Sequence, residues 1–183
     1  MLYEKSKSGR AVCGNGIGFG YGGGYAAPKS GNSEVVTVFD PATYKGSVGE
    51  VVEINGEKYL KIVTEDPDWK QRIYIDPVSL KGKKTFSATL FGEKSEHGLI
   101  ISVQLRDVSD PDTWKFISFV GTYDIDAIPT TPTVCRAGVA NPKDNIVSKS
   151  MLCTEFGVLV EDPADNWKKH FGVTVYIGKI IAF

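Results

Sequence analysis

From residue 35 onward the chain alternates between short apolar runs and turn residues. The runs are 35–39, 51–54, 58–63, 72–75, 85–91, 98–106, 114–123, 133–135, 151–160 and 171–183. Runs of this length, rich in β-branched and aromatic residues and bounded by Gly, Pro, Asn and Asp, read as strands. Two of them meet across Asn55-Gly56, the residue pair that a tight two-residue hairpin prefers. Within 99–106, Leu99, Ile101, Val103 and Leu105 share one face, while Ile100, Ser102, Gln104 and Arg106 share the other. Within 85–91, Phe86, Ala88 and Leu90 oppose Thr85, Ser87 and Thr89. Successive strand side chains point to opposite faces. This pattern predicts Phe86, Leu90, Ile101, Val103 and Leu105 in a core. It also predicts neighbouring strands of one sheet whose outer face carries Ser87, Thr89, Gln104 and Arg106. No stretch shows helical periodicity over ten residues; only 144–153 has room for a short helix. The prediction is an all-β fold, a β-sandwich or jelly roll of two antiparallel sheets.

At 183 residues the chain has the length of one domain and can bury about 70% of its unfolded surface. The sandwich is assigned to 34–183. Residues 1–33 differ from the rest, with seven glycines in 14–24 beside Phe19 and Tyr21. Gly18, Gly20 and Gly23 formally spell G-x-G-x-x-G, but no strand precedes them and no helix follows, so a dinucleotide site is discounted. That segment reads as extended or as an edge strand. A net charge of −1 provides no basic field for nucleic acid or an anionic membrane. No apolar run reaches the roughly 18 residues a spanning helix needs. Cys13, Cys135 and Cys153 lack metal-ligand spacing; a Cys135–Cys153 bridge is open, and small buried hydrophobes are the preferred reading.

The three tryptophans all follow Asp-Pro turns: Asp66-Pro67-Asp68-Trp69, Asp110-Pro111-Asp112-Thr113-Trp114 and Asp162-Pro163-Ala164-Asp165-Asn166-Trp167. Asp caps such a turn through its side chain and Pro presets φ at the second position. Large flat aromatic surfaces therefore stand at strand entrances beside carboxylates, an arrangement suited to polar, flat-faced ligands. The outer strand face adds hydroxyl, amide and guanidinium groups where a plain solvated face tends to carry Lys and Glu. The candidate ligand-binding residues are Trp69, Arg72, Tyr74, Gln104, Arg106, Trp114 and Trp167. Counting strand crossings puts the Trp69 and Trp114 turns at opposite ends of the sandwich, with Trp167 back at the Trp69 end.

The segments NGEKYLKIV, DWKQRIYI, KGKKTFSATLF, GLIISVQL, FGVLVED and FGVTVYIGKI resemble the β-sandwich carbohydrate-binding modules of plant-cell-wall glycoside hydrolases, the group that includes families 4, 16 and 22. Residues 56–63, Trp69, 82–90 and 175–180 stand where those modules carry their recurring strand motifs. The resemblance covers roughly 50–183. It implies a non-catalytic module that binds a β-glucan, mannan or xylan and targets the catalytic domain of a larger extracellular enzyme. MLYEKSKSGR has no apolar run, so a signal peptide would lie outside this sequence. In those families a closing Asp pair often helps hold a structural calcium. Gly178 and Lys179 occupy the matching positions here, and a lysine repels a cation, so no cofactor is expected at the usual site, while a structural calcium in the Asp-rich turns stays open.

Two further readings stay open at this level. One is a structural or adhesive sandwich without glycan binding. The other is a jelly-roll glycosidase or lyase, which needs two carboxylates facing one cleft at about 5–9 Å. Glu93, Glu96, Asp124 and Asp126 are its loose candidates.

Overall fold

The computed structural model describes residues 34–95, 98–107, 115–120, 127–138 and 152–183, with the backbone alone at 68, 69, 107, 115–120, 137 and 138. In chain order the strands are β1 (Val36–Phe39), β2 (Glu50–Ile54), β3 (Glu57–Val63), β4 (Ile73–Ser79), β5 (Thr85–Gly92) and β6 (Ile100–Asp107). They continue with β7 (Lys115–Val120), β8 (Thr133–Gly138), β9 (Leu152–Asp162), β10 (Lys168–His170) and β11 (Thr174–Ala182). A 3-10 turn, η1 (Asp68–Gln71), precedes β4. Two antiparallel sheets enclose one core, as the alternation predicts. The first runs β2-β3-β11-β5-β8 with β1 beside β11; the second runs β10-β9-β6-β7 with β4 beside β9.

Local chemistry explains most of the boundaries. Asn55 and Gly56 have φ of 54° and 83°, the two left-handed conformations that a type I′ turn requires. β2 and β3 pair from Ile54↔Glu57 outward with no slip. Asp40 accepts from the Ala42 amide at 2.9 Å, and Asp162 accepts from Ala164 at 2.8 Å and Asp165 at 3.2 Å. These are the side-chain-capped turns that the Asp-Pro pairs announce. β4 runs on through Pro77 to Ser79, longer than 72–75. Among the described residues it pairs with β9 alone, with a register shift between Tyr74 and Val78, and an edge strand tolerates a proline. The run 171–183 becomes β11 alone, and Gly172, at φ 76°, separates it from the short β10 that precedes the run.

Phe86 and Leu90 of β5 and Ile101, Val103 and Leu105 of β6 are fully buried in the core. The two strands are nevertheless not neighbours, which corrects the expected single sheet. β5 lies between β11 and β8, and β6 between β9 and β7. Alternation identifies which side of a strand is apolar; it does not say which of two facing sheets that side belongs to. Ser87 and Thr89 therefore belong to the opposite outer face from Gln104 and Arg106. Cys135 and Cys153 are buried and unbridged, their thiols donating to the Thr133 carbonyl at 3.6 Å and the Glu155 carbonyl at 3.3 Å. Cys13, the segment 1–33 and residues 144–151 lie outside the described residues; Leu152 and Cys153 open β9.

The end of β1 is tied to β11 by Lys179, whose ammonium lies 2.8 Å from the Asp40 carboxylate. Lys179 thus pairs with an acid at one of the positions where the family resemblance would place a calcium ligand. The Lys179 hydrogen bond, with help from the Ala42 amide, holds the Asp40 carboxyl below its usual range. A depressed folded-state value means stability gained above the unfolded value, about 3.9, and lost as pH falls through the lowered one. The stability difference between wild type and Asp40→Asn should be under about 1 kcal/mol near neutral pH, as for a partly exposed pair. It should shrink and vanish as pH falls through the lowered value. Urea melts from pH 7 to pH 2 would reveal it, and a difference that grows on acidification would contradict it.

Candidate ligand-binding face on the second sheet

β9 is the central strand of the second sheet, with β6 on one flank and β4 and β10 on the other. Phe156, Val158 and Val160 enter the core, so the alternation turns Glu155, Gly157, Leu159 and Glu161 outward. Pairing fixes what stands beside them. Glu155 lies between Tyr74 of β4 and Arg106 of β6, and Gly157 is opposite Gln104. Arg72 immediately precedes β4, whose Ile73 opposes Phe156, and so comes abreast of Gly157.

The side chains converge on one carboxylate oxygen. Arg106 Nη1 donates to Glu155 Oε1 at 2.6 Å and Arg72 Nη1 donates to the same oxygen at 3.0 Å. The Glu155 side chain is only 6% exposed, against 25% for Arg72 and 21% for Arg106. The acid is therefore the buried anchor, and the guanidiniums reach outward from it. A guanidinium carries five N–H donors, more than this contact uses, so Glu155 fixes the two planes without exhausting them. Gln104 is half-buried beside them, and its amide makes no hydrogen bond to another described side chain. Arg72, Gln104, Arg106 and Glu155 surround a shallow depression with Gly157 and Leu159 in its lining. Tyr74, on the same face, is 69% exposed.

The structure thus brings together Arg72, Tyr74, Gln104 and Arg106 of the candidate set. Trp69 has its backbone in η1, just ahead of Arg72; that turn is secured by the buried Gln71, which donates to the Glu65 carbonyl at 3.1 Å. Trp167 stands in the turn after β9, 44% exposed, with a left-handed φ of 60°. β4 begins opposite Phe156, midway along the antiparallel β9, so the turn of Trp69 lies towards the end of the sheet at which the turn of Trp167 stands. Trp114, and with it the contrast between the two ends, lies outside the described residues.

Sequence reasoning missed Glu155 and Gly157. The signal was present: two acids, Glu155 and Glu161, flank the apolar run 156–160 of the eleven-residue strand at positions of the same parity. Both are buried, and Glu161 accepts from the Ser102 hydroxyl. They are six residues apart on one strand, about 20 Å at roughly 3.3 Å per residue, too far to act as a glycosidase pair. Of the other acids considered for catalysis, Glu93 is bound to Lys61 at 2.7 Å and to the Tyr176 hydroxyl at 2.9 Å. Lys61 first, and then Tyr176, hold its carboxyl below the usual range, opposite to what a general acid needs. Glu96, Asp124 and Asp126 lie outside the described residues.

No protein-family model and no curated protein matches this chain. Among solved structures, a family 30 carbohydrate-binding module aligns over 82% of this chain and 88% of its own, with 10% identity and a TM-score of 0.49. The family 30 carbohydrate-binding module of a cellulosomal cellulase of Clostridium thermocellum aligns over 82% and 97%, with 11% identity and a TM-score of 0.50. The latter supports the fold: a carbohydrate-binding-module type of β-sandwich. That neighbour is of family 30, and the finer likeness to families 4, 16 and 22 that the sequence motifs suggest is not what it supports.

Proposed function

We propose that this domain is a non-catalytic carbohydrate-binding module and that the outer face of the second sheet is its polysaccharide site. The observation that carries the reading is the Arg72–Glu155–Arg106 arrangement. A buried carboxylate holds two guanidiniums in place on a sheet face, with the Gln104 amide and the exposed Tyr74 alongside. Preset donors beside an aromatic ring suit a ligand of many hydroxyls and flat C–H faces. Trp69 and Trp167 would extend the surface by stacking, at about 1 kcal/mol or more per ring. The ligand in this reading is a plant-cell-wall polysaccharide of β-glucan, mannan or xylan type. Its partner is the catalytic domain of an extracellular hydrolase.

Affinity electrophoresis against soluble β-glucan, mannan and xylan, with reducing-sugar release measured in parallel, tests the reading. Retardation by at least one polysaccharide without sugar release is expected. Release of sugar would instead favour an enzyme, and no retardation would favour a structural domain. Gln104→Ala isolates the site from the fold. Its amide makes no described side-chain hydrogen bond, so stability should change by less than about 0.5 kcal/mol. Affinity should fall about tenfold, through loss of an oriented amide to a desolvated hydroxyl. Unchanged affinity by calorimetry would remove Gln104 from the site.

A further inference from the structure

Gly157 sits in the interior of the longest described strand, and the usual reasons for a glycine do not apply to it. Its φ lies outside the left-handed region that favours glycine, unlike those of Gly49, Gly56, Gly82, Gly98 and Gly172. Close packing against the described residues does not require it either, because a Cβ built there has none of their heavy atoms within 4 Å. The contrast with other strand glycines is direct. At Gly178 a Cβ would lie 3.0 Å from Thr89 and 3.3 Å from Tyr59, and at Gly92 it would lie 2.8 Å from Ile128. Nor is Gly157 the bulge of β9. The register shifts of that strand fall between Cys153 and Glu155, while Val158, Gly157 and Phe156 pair regularly with Val103, Gln104 and Leu105.

Glycine inside a strand weakens it, through lost side-chain packing and a larger entropy cost on folding. A β-branched residue would fit the open space above Gly157 and favour the strand. What remains among the physical reasons for a strand glycine is close approach by something else. The position faces outward, opposite Gln104, abreast of Arg72 and within the lining of the depression beside Glu155.

We infer that Gly157 is a ligand-contact position. The missing side chain opens a slot across β9 in which one sugar ring of the bound polysaccharide lies directly against the backbone, between the Arg72 guanidinium and the Gln104 amide. The inference rests on the proposed polysaccharide site and names the subsite within it. Arg72 and Gln104 are carried on either side of β9, at backbone positions about 10 Å apart from two strand spacings. The floor of the slot is bare peptide, so the contacted ring carries no branch on its inward face. The two planar groups grip hydroxyls at the ring's edges.

The test is Gly157→Ala and Gly157→Val, with thermal melts of each protein and calorimetric titration with the linear soluble polysaccharide that retards the wild type most. A melting temperature equal to or above that of wild type is expected for both. Affinity should fall for Ala and fall further, at least tenfold, for Val. Wild-type affinity in both variants overturns the slot while leaving the polysaccharide site intact. Failure of even Gly157→Ala to fold also overturns it, since the glycine would then serve the strand. Wild-type protein that binds no polysaccharide overturns the site and the slot together, an outcome distinct from the other two.

Discussion

Replacing Glu155 with alanine should destabilise the domain by about 2–4 kcal/mol, because removing the shared partner of a buried ion cluster leaves like charges facing each other. Arg72 and Arg106 both donate to its Oε1, and both guanidiniums are mostly withdrawn from water. Without the carboxylate they lose the oxygen that both share and repel each other across a few ångströms. For a domain of this size that cost is a fall in melting temperature of roughly 5–15 °C. Affinity for polysaccharide should drop at least tenfold in the same variant, since donors that are no longer held must be ordered by the ligand itself. Glu155→Gln keeps an oxygen acceptor and the shape but not the charge, and should fall between alanine and wild type on both measures. Denaturant titration and calorimetry on the three proteins decide the matter. A Glu155→Ala protein within about 0.5 kcal/mol of wild type, the range of an ordinary surface change, would show that the cluster does not hold the arginines.

The arginines show what the sequence could and could not convey. Period-2 alternation placed Gln104 and Arg106 on an outer face and Ile101, Val103 and Leu105 in the core, because one strand's pleat depends only on its own residues. Asn55-Gly56 announced its hairpin for the same local reason. Which strands lie side by side is set by long-range pairing that short motifs do not encode. Thus β5 and β6, both apolar on one side and polar on the other, looked like neighbours yet fold into opposite sheets. Ser87 and Thr89 left the candidate face with that correction. Glu155 and Gly157 entered it from β9, a strand some fifty residues beyond Gln104 in the chain. Nothing near Arg72 or Arg106 in sequence could reveal that one buried acid serves both. The turn that sets Trp167 just ahead of β10 was legible because turn chemistry is local, whereas its distance from the arginine pair is a property of the assembled sheets.

The core beneath the site should be as sensitive as the site itself. Phe156 precedes Gly157 and points the other way. It is 1% exposed, and its ring lies 4.9 Å from that of Phe39, edge-on at 62°. Phe39 belongs to β1 of the first sheet and Phe156 to β9 of the second, so this pair spans the sandwich. Phe156→Ala removes a large buried side chain from between two sheets that cannot fully close over the gap, and should cost about 3–5 kcal/mol. Phe156→Leu restores most of the volume but not the ring, and should cost roughly half as much or less. A double-mutant cycle with Phe39→Ala should return a coupling of about 0.5–1.5 kcal/mol for the edge-to-face contact. Urea titrations would show lowered midpoints with an unchanged slope, the sign that stability rather than compactness has changed. Because strand alternation turns Phe156 inward and Gly157 outward, Phe156→Ala that is still folded at low temperature should bind polysaccharide with nearly wild-type affinity. Loss of binding in that folded protein would mean that the floor of the site is set by core packing and not by the register of β9 alone.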